Sequence, residues 1–451
     1  MKVRFKNSYI RITMYIVSLM FISCSFNREL VYDVQFTDEY INATPFIQDF
    51  LFYCALLEDT HPNTEYFKTG EWTDRKMQAR EKVESCKTKD ELAAIIQSLS
   101  ASMDDAHTSC RKNFYEKNKF NSNITVSWFG NELRIVNAIK PLGNLVGKKI
   151  DAINNVNVDT LVYRASKCFG GENTITWQRN LIWVLNSKFT PELNIGGIRY
   201  ITCNGETFDL IDNPSHEWAN LRVEFHPVTA VQKGMLHVQY LDNIAYMQLN
   251  SMQCDLEWIN RAFDDFFINT EKLNIHNIVL DLRNNGGGDS RVGYIFLKKL
   301  NVSELEKNFK VEERDSRLSQ YHASSAVRQI DFKPTEYKTQ HKKNVYFIQG
   351  RNTYSAAADL VVAVCDNNLY LTVGEPTGQK PCCYGDILSF ELPNTQIEVG
   401  VSYKYFYRPD TTKCHEDSVY PNVYIPHTYE DYITGEDPCW EWILTDINKK
   451  R

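Results

Sequence analysis

Ile278-Val279-Leu280-Asp281-Leu282-Arg283-Asn284-Asn285-Gly286-Gly287-Gly288 is a short apolar run closed by three glycines. Val345-Tyr346-Phe347-Ile348-Gln349-Gly350 is a second such run, and Asn352-Thr353-Tyr354-Ser355-Ala356-Ala357-Ala358 follows it almost at once. Both runs have the length and β-branched or aromatic content of buried strands. The first ends where glycine lets backbone amides approach a ligand with no Cβ in the way. The second ends in a strand-to-helix turn with Ser355 at the helix start, beside free N–H groups and the positive end of the helix dipole. Open α/β sheets bind their ligands at the C-terminal edge of the strands. Each signal alone has a plainer meaning, a helix N-cap or a loop. Together, in this order, they place a nucleophile and amide donors on one sheet edge, the equipment of acyl transfer.

Outward from these runs, Ile244 to Leu249 reads as a strand, Leu256 to Leu273 and Arg291 to Leu300 as helices, and Tyr370 to Val373 as a further strand. Phe390 to Leu392 and Ile397 to Val401 make later strands, whereas the charged, poorly periodic 301–343 reads as an insertion or surface loop. The alternation of β and α implies an α/β sheet core. Upstream, Phe46, Phe50, Tyr53 and Leu57, then Leu92, Ile95, Ile96 and Leu99, recur at helical spacing and predict a small helical domain that ends in a loop carrying His107. From about Asn121 to Pro227 the pattern becomes β-like.

With 451 residues the chain has room for two or three domains. A net charge of −7 and no basic stripe argue against a nucleic-acid partner. The N-terminus carries Lys2, Arg4, Lys6 and Arg11 before an apolar Ile12 to Ile22, too short to span a bilayer. It ends in Phe21-Ile22-Ser23-Cys24, which resembles a bacterial lipoprotein box; cleavage there would make Cys24 a lipidated, membrane-anchoring N-terminus. A plain secretory signal is the alternative, and either way the mature chain is exported. Export permits disulfides, but the spacing of the twelve cysteines fixes no connectivity. The ten histidines show no ligand spacing, so no metal site and no cofactor is expected.

The chain resembles the C-terminal processing peptidases (tail-specific proteases), relatives of the tricorn core protease and of the non-catalytic interphotoreceptor retinoid-binding protein. The resemblance rests on the Ser355 and glycine segments and on Asp104-Asp105-Ala106-His107-Thr108. It continues in Val373-Gly374-Glu375-Pro376-Thr377-Gly378-Gln379-Lys380, Val419-Tyr420-Pro421-Asn422-Val423 and Gly435-Glu436-Asp437-Pro438. Ala358 stands where the family often has Glu, Gln379 where it often has Gly, and Asn422 where it usually has Asp. Gly147 to Val158 is similar to a stretch of PDZ domains, which bind peptide C-termini by strand addition; the usual carboxylate loop is not recognisable.

The resemblance implies a ClpP/crotonase-like α/β core sheet with an N-terminal helical domain and a PDZ-like β-rich domain. The corresponding segments are a signal peptide at 1–23, helices at 24–119, a PDZ-like unit at 120–228 and the core at 229–451. It implies a serine peptidase acting on polypeptides, with Ala356 and Gly286 or Gly287 as oxyanion donors. Two bases are open for Ser355. Lys380 matches the lysine of a Ser/Lys dyad and would need burial to lower its pKa; His107, as in tricorn-type enzymes, titrates near neutrality unaided. Lys380 is slightly favoured. Glu416 is the expected third member of the histidine scheme, one residue off the family spacing. A catalytically silent ligand- or peptide-binding lipoprotein on the same scaffold is the alternative function.

Overall fold

A computed structural model describes residues 30–110, 123–185, 200–210, 229, 231–302, 304–325 and 343–450. The expected signal segment and Cys24 lie outside them. The chain begins with helices α1 (Pro45–Thr60), α2 (Gly70–Glu84) and α3 (Lys89–Ser100), and a short strand β1 (Ser109–Cys110) follows. Thr88 and Glu91 form a reciprocal capping box that starts α3. Next come the hairpin β2 (Ile124–Phe129) and β3 (Glu132–Ala138), then β4 (Ala152–Ile153) and β5 (Val156–Asn157). Helices α4 (Val158–Cys168) and α5 (Thr174–Leu185) lead to β6 (Tyr200–Cys203) and β7 (Glu206–Asp209), which complete a β5-β4-β6-β7 sheet.

The remainder builds the central sheet. Its elements are β8 (Leu236–Leu241), β9 (Ile244–Leu249), α6 (Leu256–Lys272), β10 (Asn277–Asp281), α7 (Arg291–Lys299), β11 (Lys310–Glu313) and α8 (Arg317–Ser325). They continue with β12 (Asn344–Gln349), α9 (Ala356–Asp366), β13 (Leu371–Gly374), β14 (Cys383–Glu391), β15 (Glu398–Tyr407), β16 (Val423–Tyr424) and the C-terminal helix α10 (Pro438–Lys449). Among the described residues the sheet runs β16-β13-β12-β10-β9-β8, parallel throughout except for the β8–β9 pair. The molecule is therefore α/β. Strands β9 and β10 are buried along their whole length because helices cover both faces, and so they read as unbroken apolar runs. Helices α6, α7 and α9 pack Phe263, Phe267, Phe296, Val361 and Val364 on one face, while Trp440 and Ile443 of α10 close the other.

Two features depart from the sequence expectation. The 301–343 stretch is not wholly loop. It contains β11, which pairs with β15 and exposes all four residues, and α8, whose Leu318 is fully buried. The N-terminal helices also do not close a core of their own: Phe52, Leu56 and Leu92 share one cluster with Leu318, Leu392, Val399 and Val401 from α8 and the β14–β15 region. The cysteine pairing that spacing left open joins Cys382 to Cys414, with Cα atoms 5.5 Å apart.

Candidate active site

The turn that carries Ser355 is built by hydrogen bonds to the neighbouring strand. Thr353 Oγ1 donates to Leu282 O (2.9 Å), and Tyr354 N–H donates to Asn285 O (3.0 Å). Asn285, fully buried, donates from Nδ2 to Leu249 O (2.9 Å) and accepts Gly287 N–H at Oδ1 (2.9 Å). Strands β9, β10 and β12 are thus tied at the point where the chain turns. Ser355 itself has φ 53° and ψ −132°, a conformation L-residues rarely adopt. It is the strained strand-to-helix geometry that thrusts a nucleophilic side chain clear of a sheet edge.

Two glycines of the triplet, Gly287 and Gly288, are needed there for steric reasons. At Gly287 (φ +98°) a Cβ would lie 2.6 Å from Ser355 Cβ and 2.8 Å from Tyr354 O, so any larger residue would collide with the serine. Ala356 N–H is the first amide of α9 and lacks an intrahelical acceptor by position. Buried Gln379, which stands where the resemblance leads one to expect glycine, accepts Ser355 N–H at Oε1 and donates from Nε2 to Cys383 Sγ (2.8 Å). Its role was invisible in the sequence.

His107 meets this turn from the opposite side. Its Nε2 lies 3.3 Å from Ser355 Oγ, and its ring lies 5.2 Å from that of Tyr354. The loop that delivers it is sewn down at several points. Ser109 and Cys110 pair with Gly400 and Val399, Thr108 Oγ1 accepts Ser402 N–H (3.0 Å), and Cys110 N–H donates to Gln97 Oε1 (2.9 Å). Asp105 accepts His107 N–H at Oδ1 (2.8 Å), its other oxygen lies 3.3 Å from His61 Nε2, and both side chains of that pair are fully buried. The same Oδ1 stands 3.6 Å from His107 Nδ1, a charge contact too long for a hydrogen bond.

A glycine lets a second segment reach the histidine. A Cβ on Gly170 would lie 2.0 Å from Asp105 O, so only glycine permits this approach of the loop before α5. The approach brings buried Glu172 up to the His107 loop, where its Oε1 accepts Ala106 N–H at 3.5 Å. Helix α5 then locks onto the loops beside Ser355. Thr176 Oγ1 donates to Gly378 O, Asn173 Nδ2 donates to Asp417 O (2.7 Å), and the Arg179 guanidinium sits 4.2 Å from the Tyr354 ring centre.

Electrostatics follow from this burial. Burial works to lower the His107 imidazole, but the adjacent Asp105 carboxylate outweighs it, and the ring's pKa ends above its ordinary value. Burial works to raise Asp105, yet the two histidines hold it well below the carboxylate range. Glu172 is pushed up to about 7 by burial, partly offset by His107. Half-buried Asp359, one turn into α9, is likewise pushed up to about 7 by desolvation. Asp105, His107 and Glu172 each offer a ligand atom within 4.8 Å of the others and are the residues here that could hold a metal.

The other expected site residues lie elsewhere. Lys380 is half-buried on the loop after Gln379 and interacts electrostatically with Asp104, whereas the hydrogen-bond partner of Ser355 Oγ is His107. Glu416 is bound to the Arg408 guanidinium (2.6 Å), which also grips buried Asp366 (2.7 Å). The carboxylates around His107 are instead Asp105 and Glu172. Asp105 stands within the quoted Asp-Asp-Ala-His-Thr motif, so a signal for it existed; Glu172 and His61 had none.

Comparison with known proteins sets these observations in context. No curated protein matches the sequence. Mature CPAF superposes with a TM-score of 0.60 at 12% identity over 90% of this chain and 96% of that one. Mature CPAF complexed with lactacystin gives 0.58 at 13% identity, covering 90% and 97%. At such identity the likeness is one of fold. The photosystem II D1 C-terminal processing protease reaches 0.46 at 14% identity over 88% of this chain and 99% of that one. The family model of peptidase family S41 matches residues 243–425, the span that carries Gly286, Gly287, Ser355, Ala356, Gln379, Lys380 and Glu416. Over its central sheet and the Ser355 turn, the chain is similar to peptidase family S41.

Proposed function

We propose that the protein is a serine endopeptidase that cuts exported or envelope polypeptides through an acyl-enzyme on Ser355, with His107 as its base. The observation that carries this reading is the 3.3 Å approach of His107 Nε2 to Ser355 Oγ at a strained strand-to-helix turn. In the first step His107 takes the hydroxyl proton as Oγ attacks the scissile carbonyl. The tetrahedral oxyanion then forms against the Ala356 N–H and a glycine-loop amide. Gly287 N–H is already donated to Asn285, which favours Gly286 as the second donor. The imidazolium next protonates the leaving amine, and a water activated by the same ring hydrolyses the ester. Asp105, held by His61, positions the ring and stabilises its cationic form.

Lys380 remains the competing base, supported by sequence resemblance and not by contact with Ser355. A fluorophosphonate probe should label the wild type at Ser355, and Ser355→Ala should lose both labelling and casein cleavage while its melting temperature is kept. Undiminished cleavage by that variant would sink the assignment of Ser355, whereas a wild type that neither labels nor cleaves would leave the silent binding protein as the better reading. The membrane anchor is supported by Phe21-Ile22-Ser23-Cys24 alone. Incorporation of labelled fatty acid, abolished by Cys24→Ser, is the result it requires.

A further inference from the structure

The base of this site is surrounded by more donor chemistry than proton transfer to Ser355 uses. His107 Nδ1 and Glu172 Oε2 are both buried without a hydrogen-bond partner among the described residues. Glu172 is only 6% exposed, and the side chains of Asp105 and His107 are 0% and 10% exposed. Buried polar atoms are nearly always satisfied, and an unsatisfied one commonly marks a missing water or ion. Here two such atoms belong to a trio of residues, completed by Asp105, that each offer a ligand atom within 4.8 Å of the others. We propose that Asp105, His107 and Glu172 form a site for one divalent transition-metal cation, zinc by preference, and that its occupancy silences Ser355.

The donor chemistry selects the ion. One imidazole nitrogen and two carboxylate oxygens suit zinc, whereas calcium and magnesium favour all-oxygen shells. Two carboxylates also balance the charge of a divalent cation. Three protein ligands leave a fourth position open, as at zinc sites that accept an outside ligand. Donors around a tetrahedral zinc sit about 3.4 Å apart, given bond lengths near 2.0–2.1 Å, so the set must contract somewhat on binding. His61 Nε2 lies 3.3 Å from Asp105 Oδ2, a contact of the kind that outer partners of metal ligands commonly make. A cation on Nδ1 keeps the ring from accepting a proton at Nε2, so Ser355 cannot be activated. Binding stands on these three residues alone; only the loss of activity rests on the reading of Ser355 as nucleophile and His107 as base.

The test separates the two. Calorimetric titration of the Ser355→Ala full-length protein with Zn²⁺ should show one site that Glu172→Gln and Asp105→Asn each weaken at least tenfold. Cobalt(II) substituted into the unmutated protein should give d–d bands without thiolate charge transfer, a readout that does not depend on whether a variant folds. In the wild type, Zn²⁺ should suppress casein cleavage, and a chelator should restore it. No uptake by Ser355→Ala, uptake unaffected by Glu172→Gln, or a thiolate band from one of the free cysteines overturns the site. Binding as described with no effect on cleavage keeps the site and overturns the silencing.

Discussion

The proposed nucleophile and its proposed base are held by different kinds of structure. Ser355 stands on three adjacent parallel strands whose turn is fixed by buried hydrogen bonds from Asn285 and Thr353, all within the central sheet. His107 stands on a loop that belongs to no sheet of that core. Its position depends on β1 pairing with β15, on the His61–Asp105 contact, and on the approach of Gly170 from the loop before α5. A rigid core can therefore present the hydroxyl whether or not the base is in place. On the proposed mechanism, activity is a property of three regions meeting, while the nucleophile is a property of one.

The largest expected effect breaks the meeting itself. His107→Gln should lower kcat by about 10³-fold or more, on the scale of general-base loss within a catalytic unit, with the melting temperature nearly unchanged. Lys380→Ala should leave kcat within about threefold, since loss of a general base costs about 10²-fold or more and the lysine has no hydrogen bond to Ser355. Steady-state kinetics on both variants decide the matter. A dead Lys380→Ala beside an active His107→Gln would assign the Ser/Lys dyad instead.

The same contrast explains what could be read from the sequence. The strands of the core were legible because burial on both faces leaves continuous apolar runs such as Ile278 to Leu282 and Val345 to Ile348. Ser355 was legible because its turn is local. β11 was not, since all four of its residues face solvent and its order comes from pairing with β15. α8 likewise anchors through Leu318 in a core formed by distant helices. Glu172 could not be recognised, because its chemistry arises from burial against a loop that ends more than sixty residues earlier. Glu416 sat at nearly the right spacing, but buried Arg408 needs a second carboxylate and takes it.

Two glycine substitutions sharpen the comparison at intermediate size. Gly287→Ala presses a methyl against Ser355 Cβ and Tyr354 O within the core. It should cost about 10²-fold in kcat, the scale of an ångström-level misplacement of a reacting group, and should also impair fluorophosphonate labelling. Gly170→Ala presses instead on Asp105 O, so it should disturb the base and leave the oxyanion amides alone. A loss of roughly tenfold is expected, smaller than for a direct displacement of the nucleophile, with partial rescue at higher pH as hydroxide compensates for a misplaced base. If Gly170→Ala matches wild type in rate, the approach of the two loops is not what positions His107.

The smallest effect on activity, and the one that isolates the core, concerns Arg283 and Asp437. Arg283 Nη2 lies 2.6 Å from Asp281 and 2.7 Å from Asp437, which clamps the end of β10 to the start of α10. Burial works to raise Asp437, but the guanidinium outweighs it and holds the carboxyl at about 2. Its unfolded value is near 3.9. Because the folded pKa is the lower one, the pair's contribution is complete above pH 4 and is lost as pH falls toward 2. By linkage this amounts to roughly 2 kcal/mol across that window. Asp437→Asn should therefore flatten the dependence of Tm on pH between about 4 and 2. At neutral pH it should lower Tm while kcat on casein changes by less than about twofold, since no atom of the pair reaches Ser355 or His107. A steep acid dependence that survives the substitution would mean that some other buried carboxylate, and not this clamp, sets the core's acid limit.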